Sequence, residues 1–303
     1  MPKLTRTQLN AARASDAGDR AAYDALPGVS QSRLRPFLKS VAHGVQALNE
    51  PRKQTDAMLL GILAHAWALE GKPAIDKRYV VVPPNAPKRP TKVQLNAKKP
   101  SEETIAAIAW WSAFEKDNAG LEIVDAEMLA DSEQVGYRIT QALHAYDIKP
   151  LGTEVALTTE WGDLELKGCL DIVTEDGWIY DVKTTGLEAT REDWGRTLER
   201  DLGLALQMAV YSLLFRENFG EPPQGFRHLV VETDAPYGFR VFEADPDILA
   251  KGVQAMMLAL DRYKVYAEAC RNGMSDAGFD CYPVEVVKVA PWKPTASSPI
   301  PFA

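Results

Sequence analysis

Between residues 152 and 185 the chain places Glu154, Asp171, Asp181 and Lys183 among apolar residues that alternate with a period of two. Val155 and Leu157, then Leu164, Leu166, Leu170 and Ile172, then Trp178, Tyr180 and Val182 mark three strands that would share one buried face. Matching those faces across the first turn predicts a two-residue Trp161-Gly162 loop, with Glu160 opposite Asp163 and Glu154 opposite Cys169. Across Glu175-Asp176-Gly177, pairing Thr174 with Trp178 places Asp171 directly opposite Asp181 and Cys169 opposite Lys183. The three acids and the lysine then converge on one side of a small sheet.

Like charges opposite one another across strands repel, so such a cluster asks for a neutralising partner. Hard carboxylate oxygens suit Mg²⁺ or Mn²⁺, and Mg²⁺ usually takes one or two carboxylates while leaving positions open for phosphate oxygens. A metal so placed acidifies a water for attack and neutralises charge on a phosphoryl oxygen. Lys183 shares a strand face with Asp181 and would stabilise that charge or orient the water. Alternating charges also mark the solvated face of a half-buried sheet, and the residues alone leave that reading open.

The flanking elements read as mostly helical. Ser30, just ahead of Leu34, Phe37 and Leu38, reads as the N-cap of a short helix over 31–40. A helix over 55–70 is apolar nearly all round (Met58, Leu59, Ile62, Leu63, Trp67, Leu69) and should pack on several sides. On that pattern alone its His65 is a core or boundary residue. Residues 77–100 carry Lys77, Arg78, Lys88, Arg89, Lys92, Lys98 and Lys99, no acid and five prolines, the composition of a basic loop. Helices over 101–118 and 131–146 precede the strands; a helix over 202–219, strands over 226–232 and 238–244 and a helix over 246–271 follow them. The last 22 residues contain five prolines and read as an extended tail. The chain thus divides into an N-terminal segment 1–25, one domain over 26–281 and a tail over 282–303.

Composition narrows the function. With 46% hydrophobic and 25% charged residues, 303 residues form a folded protein that completes a core without disulfides or a structural metal. Lys plus Arg total 34 against 42 acids, a net charge of −8, so the molecule as a whole does not attract a polyanion at long range. The basic stretch with Lys88, Arg89, Lys92, Lys98 and Lys99 is then the candidate for contact with a nucleic-acid backbone. Cys169, Cys270 and Cys281 lack CxxC spacing, which excludes a disulfide framework, a zinc ribbon and a four-thiolate cluster; Cys169 reads as a small filler. Residues 1–23 lack an apolar signal-peptide core, and the apolar run 57–69 is too short to span a bilayer, so a cytoplasmic, non-membrane protein is expected.

Gly168-Cys169-Leu170-Asp171, Asp181-Val182-Lys183-Thr184-Thr185 and Gln207-x-x-x-Tyr211 together resemble the signature of PD-(D/E)XK nucleases of the RecB-like branch. Upstream, Val29-Ser30-Gln31-Ser32 and Leu60-Gly61-Ile62-Leu63-Ala64-His65 are similar to the two N-terminal motifs of the exonuclease VIII (RecE) group of phages and prophages. The resemblance implies an α/β fold with a mixed central sheet flanked by helices, and a Mg²⁺-dependent deoxyribonuclease resecting linear duplexes from 5′ ends, with Mn²⁺ able to substitute. It makes Asp171, Asp181, the Val182 carbonyl and His65 the metal ligands, Lys183 the catalytic lysine and Glu154 the upstream acid. Gln207 and Tyr211 would flank the site and position the strand or the lysine, and Ser30 falls in a site-flanking motif. Leu170 stands where the family signature has proline, and no iron–sulfur cluster is implied. DNA ends, a single-strand annealing protein and a second copy of the chain are the implied partners. A structure-specific or single-strand nuclease, and a non-catalytic DNA-end or partner-binding module on the same fold, are the alternatives.

Overall fold

The computed structural model describes residues 3–16, 18–50 and 54–273; the expected tail over 282–303 and Cys281 lie outside the described residues. The chain opens with α1 (Arg6–Ala12), α2 (Arg20–Ala25), β1 (Val29–Ser30) and α3 (Gln31–Leu34), then a 3₁₀ turn over Arg35–Leu38 and α4 (Val41–Asn49). Next come α5 (Asp56–Leu69), α6 (Lys72–Arg78), β2 (Tyr79–Val81), α7 (Lys92–Leu95), α8 (Glu102–Asp117), β3 (Glu122–Val124) and α9 (Ala126–Ala145). The central strands β4 (Pro150–Trp161), β5 (Leu164–Thr174) and β6 (Trp178–Thr185) lead into α10 (Arg191–Arg200) and α11 (Leu202–Phe219). Strands β7 (Gly225–Glu232) and β8 (Phe239–Glu243) and the long α12 (Pro246–Arg271) complete the described fold.

Six strands form a mixed sheet in the order β1-β5-β6-β7-β8, with β4 on the other edge of β5. β4, β5 and β6 run antiparallel in sequence, β7 lies parallel to β6, and β8 returns antiparallel. The fold is the α/β arrangement with a mixed central sheet flanked by helices. Along its free edge β5 pairs with β6 only at Ile172–Tyr180 and Val173–Ile179, and further back with β1 at Leu166 and Lys167. The two neighbours share one edge of β5, so the sheet forks between them.

The apolar residues do not share one face, as their alternation suggested. Val155, Leu157, Leu166, Leu170, Val173 and Ile179 pack in one cluster with Leu206, Val210 and Leu214 of α11 and Met256 of α12. Ile172, Tyr180 and Val182 join a second cluster with Ala64 of α5 and Val135 and Ile139 of α9. Adjacent residues on β5 and β6 therefore face opposite clusters, and both sides of the sheet are covered. Each wholly buried Leu, Ile or Phe in these clusters contributes about 1.5–3 kcal/mol of transfer free energy. With helices on both faces, the charged residues of β5 and β6 do not form a solvated face; Asp181 is only 1% exposed.

Several boundaries differ from expectation. The helix over 31–40 breaks into α3 and the 3₁₀ turn, where Pro36 supplies no amide to continue an α-helix. Residues 77–100 are not wholly a loop: β2 pairs in parallel with β3, and α7 carries a capping box from Thr91 and Gln94. α9 starts at Ala126 because Asp125 caps it, accepting from the Met128 amide at 2.7 Å. α5 follows the expected span, capped by Thr55, but Met58 and Ile62 reach solvent at 36% and 46% exposure. Residues 3–16 and 18–25 pack on the main domain: Leu4 and Leu9 sit in the first cluster, and the buried Lys167 ammonium donates to the carbonyls of Tyr23, Asp24 and Leu26 at 3.2, 3.0 and 2.7 Å. Among the described residues no helix is long and apolar enough to cross a membrane.

Candidate active site

The fork between β5 and β6 shapes the site. The register beside it is the expected one, with Ile172 opposite Tyr180 as the last pair before Asp171 and Asp181. The ladder ends there, and the Asp171 carboxylate fills the gap, its Oδ2 accepting from the Val182 amide at 2.7 Å. A side chain thus takes the place of a strand-to-strand bond, which leaves the second Asp171 oxygen for another partner.

Glu154 arrives by a different register. The first turn is Gly162-Asp163, with Trp161 opposite Leu164, and Cys169 faces Ala156 instead of Glu154. A slip of two residues leaves the same sets of β4 and β5 side chains matched in parity, so the alternation could not detect it. Gly162, at φ +64°, suits the first position of such a two-residue turn. Between the pairs Thr153–Ile172 and Val155–Leu170, Glu154 now lies across from Asp171. Its own φ is +47°, a left-handed conformation that costs a non-glycine residue about 1–2 kcal/mol.

His65 closes the group from α5. Its Nδ1 lies 3.3 Å from Glu154 Oε1, and its Nε2 lies 3.2 Å from Asp171 Oδ2 and 3.3 Å from the Val182 carbonyl. Gly61, one turn earlier, brings the helix close: a Cβ there would stand 3.0 Å from Thr184 Oγ1. One ligand atom from each of His65, Glu154 and Asp171 falls within 4.8 Å of the others. Burial alone would lower the His65 pKa, but the Asp171 charge, followed by hydrogen bonds to Asp171 and Glu154, holds it well above the usual histidine value. The Glu154 carboxyl is also opposed by burial, yet His65 pulls it below its ordinary range. In the absence of metal the imidazolium serves as the cation of this cluster.

Asp181 and Lys183 form the adjoining pair. Asp181 Oδ1 accepts from Gln207 Nε2 at 2.8 Å, and Oδ2 lies 2.5 Å from Lys183 Nζ without an aligned hydrogen bond. Burial raises the Asp181 pKa, with Lys183 opposing the shift. Gln207 therefore holds Asp181, while Tyr211, one turn along α11, is buried beside Gly168, where a Cβ would come within 2.9 Å of its ring. Burial, then the charges of Asp181 and Asp171, keep the Tyr211 hydroxyl protonated. Cys169 donates to Glu154 Oε2 at 3.4 Å, and burial pushes its thiol pKa up, in line with a filler.

The donor set suits a hard divalent cation: two carboxylates, the Val182 carbonyl and an imidazole, with Asp181 Oδ2 a buried acceptor lacking a hydrogen-bond partner. His65 must lose its proton before its nitrogen can coordinate.

Other expected residues lie elsewhere. Ser30 occupies the N-cap position of α3, but its hydroxyl pairs with Ser32 Oγ at 3.0 Å and caps no amide. Lys88, Lys92, Lys98 and Lys99 are exposed, and among the described residues they do not contact the carboxylates. Arg89 is held by Glu115 and lies 4.8 Å over the Trp111 ring.

His228, which sequence reasoning passed over, pairs in register with Asp181 from β7. Its Nδ1 accepts from Trp194 Nε1 at 3.4 Å, and its Nε2 points toward Asp181 Oδ2 at 3.8 Å. A single histidine in an apolar strand carries no signal of this role. Burial, against the opposing pull of Asp181, lowers its pKa to about 4. A base with a depressed folded pKa binds fewer protons folded than unfolded, so its contribution to stability falls as pH drops from about 6.5 toward about 4. That loss amounts to about 3 kcal/mol, and the raised Asp181 pKa acts with the opposite sign. Urea unfolding between pH 7 and pH 4 should show His228→Gln less acid-sensitive than the parent. Parallel pH profiles would contradict the neutral buried imidazole.

The family described as "PDDEXK-like domain of unknown function (DUF3799)" matches residues 30–278. The chain belongs to this PDDEXK-like family. A crystal structure described as "Putative exonuclease" from Eubacterium rectale shares the fold of this PDDEXK-like chain, at 16% identity and a TM-score of 0.53, covering 91% of this chain and 96% of that one. The crystal structure of SSO0001 aligns over 75% of this chain and 85% of its own at 12% identity and a TM-score of 0.25, too low to inform the fold. No curated protein matches the chain.

Proposed function

We propose that this PDDEXK-like chain is a Mg²⁺-dependent exodeoxyribonuclease that resects linear duplex DNA from its 5′ ends, with Mn²⁺ able to replace Mg²⁺. The reading rests on the meeting of His65, Glu154 and Asp171 within 4.8 Å beside the Asp181–Lys183 pair. When bound, a divalent cation supplies an acidified water and neutralises charge on the scissile phosphate. Asp171, Glu154, deprotonated His65 and the Val182 carbonyl would hold it, with Asp181 offering Oδ2. Lys183, 23% exposed at its side chain and paired with Asp181, would orient water or stabilise phosphate charge. Gln207 fixes Asp181 and through it the lysine.

The exposed Lys88, Lys92, Lys98 and Lys99 would supply backbone contacts, with Arg89 tied to α8 and Ser30 paired with Ser32 away from the carboxylates. A cytoplasmic setting in phage or prophage recombination, a single-strand annealing protein as partner and a homo-oligomer complete the proposal, and draw on the resemblance alone.

The test uses linear duplexes blocked at either the 5′ or the 3′ end, with Mg²⁺ or with chelator. Metal-dependent loss from open 5′ ends is the expected result. Cutting of closed circles would redirect the reading to a structure-specific endonuclease, and consumption of single strands alone to a single-strand nuclease. Tight binding of ends with no product would leave a non-catalytic module.

A further inference from the structure

Glu154, which meets His65 in this cluster, has its backbone in a left-handed turn in the middle of β4. Both peptide carbonyls bracketing that turn are gripped by one side chain. Arg13 Nη2 donates to the Thr153 carbonyl at 3.1 Å, and Arg13 Nη1 to the Glu154 carbonyl at 3.4 Å. One planar guanidinium thus spans the two peptide units whose relative rotation is the φ and ψ of Glu154.

The delivery of Arg13 is built into the fold. Arg13 is the C-cap of α1, a helix whose N-terminus is closed by a Thr5–Gln8 capping box and whose Leu9 is buried at 1% exposure. Leu9 packs onto Gly152, where a Cβ would come within 2.8 Å of the leucine and 3.2 Å of Arg13 Nη2. Directly after Arg13, the Ala14 amide donates to the Ala156 carbonyl at 2.9 Å, anchoring the segment to the same strand. Of these residues α1, Arg13 and Ala14 lie ahead of residues 30–278, the part of the chain that the family covers.

We propose that Arg13 is a positioning residue for the metal centre: its guanidinium holds the left-handed backbone of Glu154 and so aims the carboxylate at His65 and the cation. The N-terminal segment is then a working part of the site. The proposal rests on the nuclease reading, and its test is chosen to separate the two.

The full chain and its Arg13→Ala, Arg13→Lys, Leu9→Ala, Glu154→Gly and Arg13→Ala/Glu154→Gly variants are titrated with Mn²⁺ by calorimetry, melted without metal, and assayed for cleavage. Arg13→Ala should weaken Mn²⁺ binding tenfold or more, and Arg13→Lys should recover part of the loss through one carbonyl contact. Leu9→Ala, which loosens the helix that delivers Arg13 but leaves the guanidinium in place, should lower the melting temperature and weaken Mn²⁺ binding less than Arg13→Ala does. Glu154→Gly keeps the backbone at ease but removes the carboxylate, so adding Arg13→Ala to it should change Mn²⁺ affinity no further. Parent-like Mn²⁺ affinity in Arg13→Ala, or the same further loss in the Glu154→Gly background, would overturn the proposal. Mn²⁺ uptake by the parent without cleavage would overturn the nuclease reading alone, while no uptake by the parent would overturn both.

Discussion

Asp171→Asn should reduce cleavage on the order of a thousandfold while leaving the fold in place. The argument is local. The Asp171 carboxylate does two things at once: one oxygen replaces a missing strand bond by accepting from the Val182 amide at 2.7 Å, and its charge faces His65 Nε2 at 3.2 Å. Asparagine can keep the first through its carbonyl oxygen, so the β5–β6 fork should survive. It cannot keep the second, and a site built from two carboxylates and an imidazole loses half its negative charge. The pH dependence gives a second signature. His65 carries a proton that metal must displace, so metal affinity in the parent should fall as pH drops through its raised pKa. The charge of Asp171 is the largest influence raising that pKa, so in Asp171→Asn the proton should leave at lower pH, even as the ligand set weakens. Single-turnover cleavage of an end-labelled duplex, Mn²⁺ calorimetry at two pH values and a thermal melt check the three parts. Cleavage within tenfold of the parent would remove Asp171 from the chemistry, and an unfolded variant would show that the bond to Val182 needs the charge.

The β5–β6 register up to Ile172 and Tyr180, beside Asp171 and Asp181, could be read from the chain because two local signals agree there: a period-two pattern and a turn closed by Gly177, whose φ of +81° glycine adopts at no steric cost. The position of Glu154 could not, because a hairpin with its turn at Trp161-Gly162 and one at Gly162-Asp163 differ by two residues, and parity is blind to even slips. Burial on both faces did leave a trace. In Trp178-Ile179-Tyr180-Asp181-Val182 the apolar residues run almost without a break, the pattern of a strand covered on both sides, and strict alternation was the wrong template for it. In the same way, the β-branched run Val80-Val81-Val82 announced β2 inside what its prolines and lysines made look like a loop. The contacts of His228 with Asp181 and of Arg13 with Glu154 are of another kind. They join residues far apart in the chain and leave no periodicity, so only the folded sheet brings them to light.

Gly252→Val should destabilise the chain by about 3 kcal/mol and disturb the site from a distance. Gly252 is buried on α12, and a Cβ there would stand 2.2 Å from the Ala205 carbonyl oxygen and 2.9 Å from its carbon. The obstacle is the backbone of α11, not the end of a side chain, so relief requires one helix to move against the other. Glycine ordinarily weakens a helix interior by up to about 1 kcal/mol relative to alanine, and its use here gives up that stability for close approach of the two helices. α11 is also the element that carries Gln207, two residues beyond Ala205, whose amide holds Asp181 at 2.8 Å. Pushing the helix outward should lengthen that bond and loosen the Asp181–Lys183 pair, so cleavage well below the melting temperature should fall more than the unfolded fraction explains. Gly195 on α10 provides the opposite case, since nothing lies within 4 Å of where its Cβ would stand. Gly195→Ala should therefore raise stability by about 0.5–1 kcal/mol through helix propensity and leave cleavage unchanged. Thermal melts of the two variants beside the parent should shift in opposite directions. If both shift the same way, contact between α11 and α12 does not decide the fate of Gly252, and the route from that contact to Asp181 falls with it.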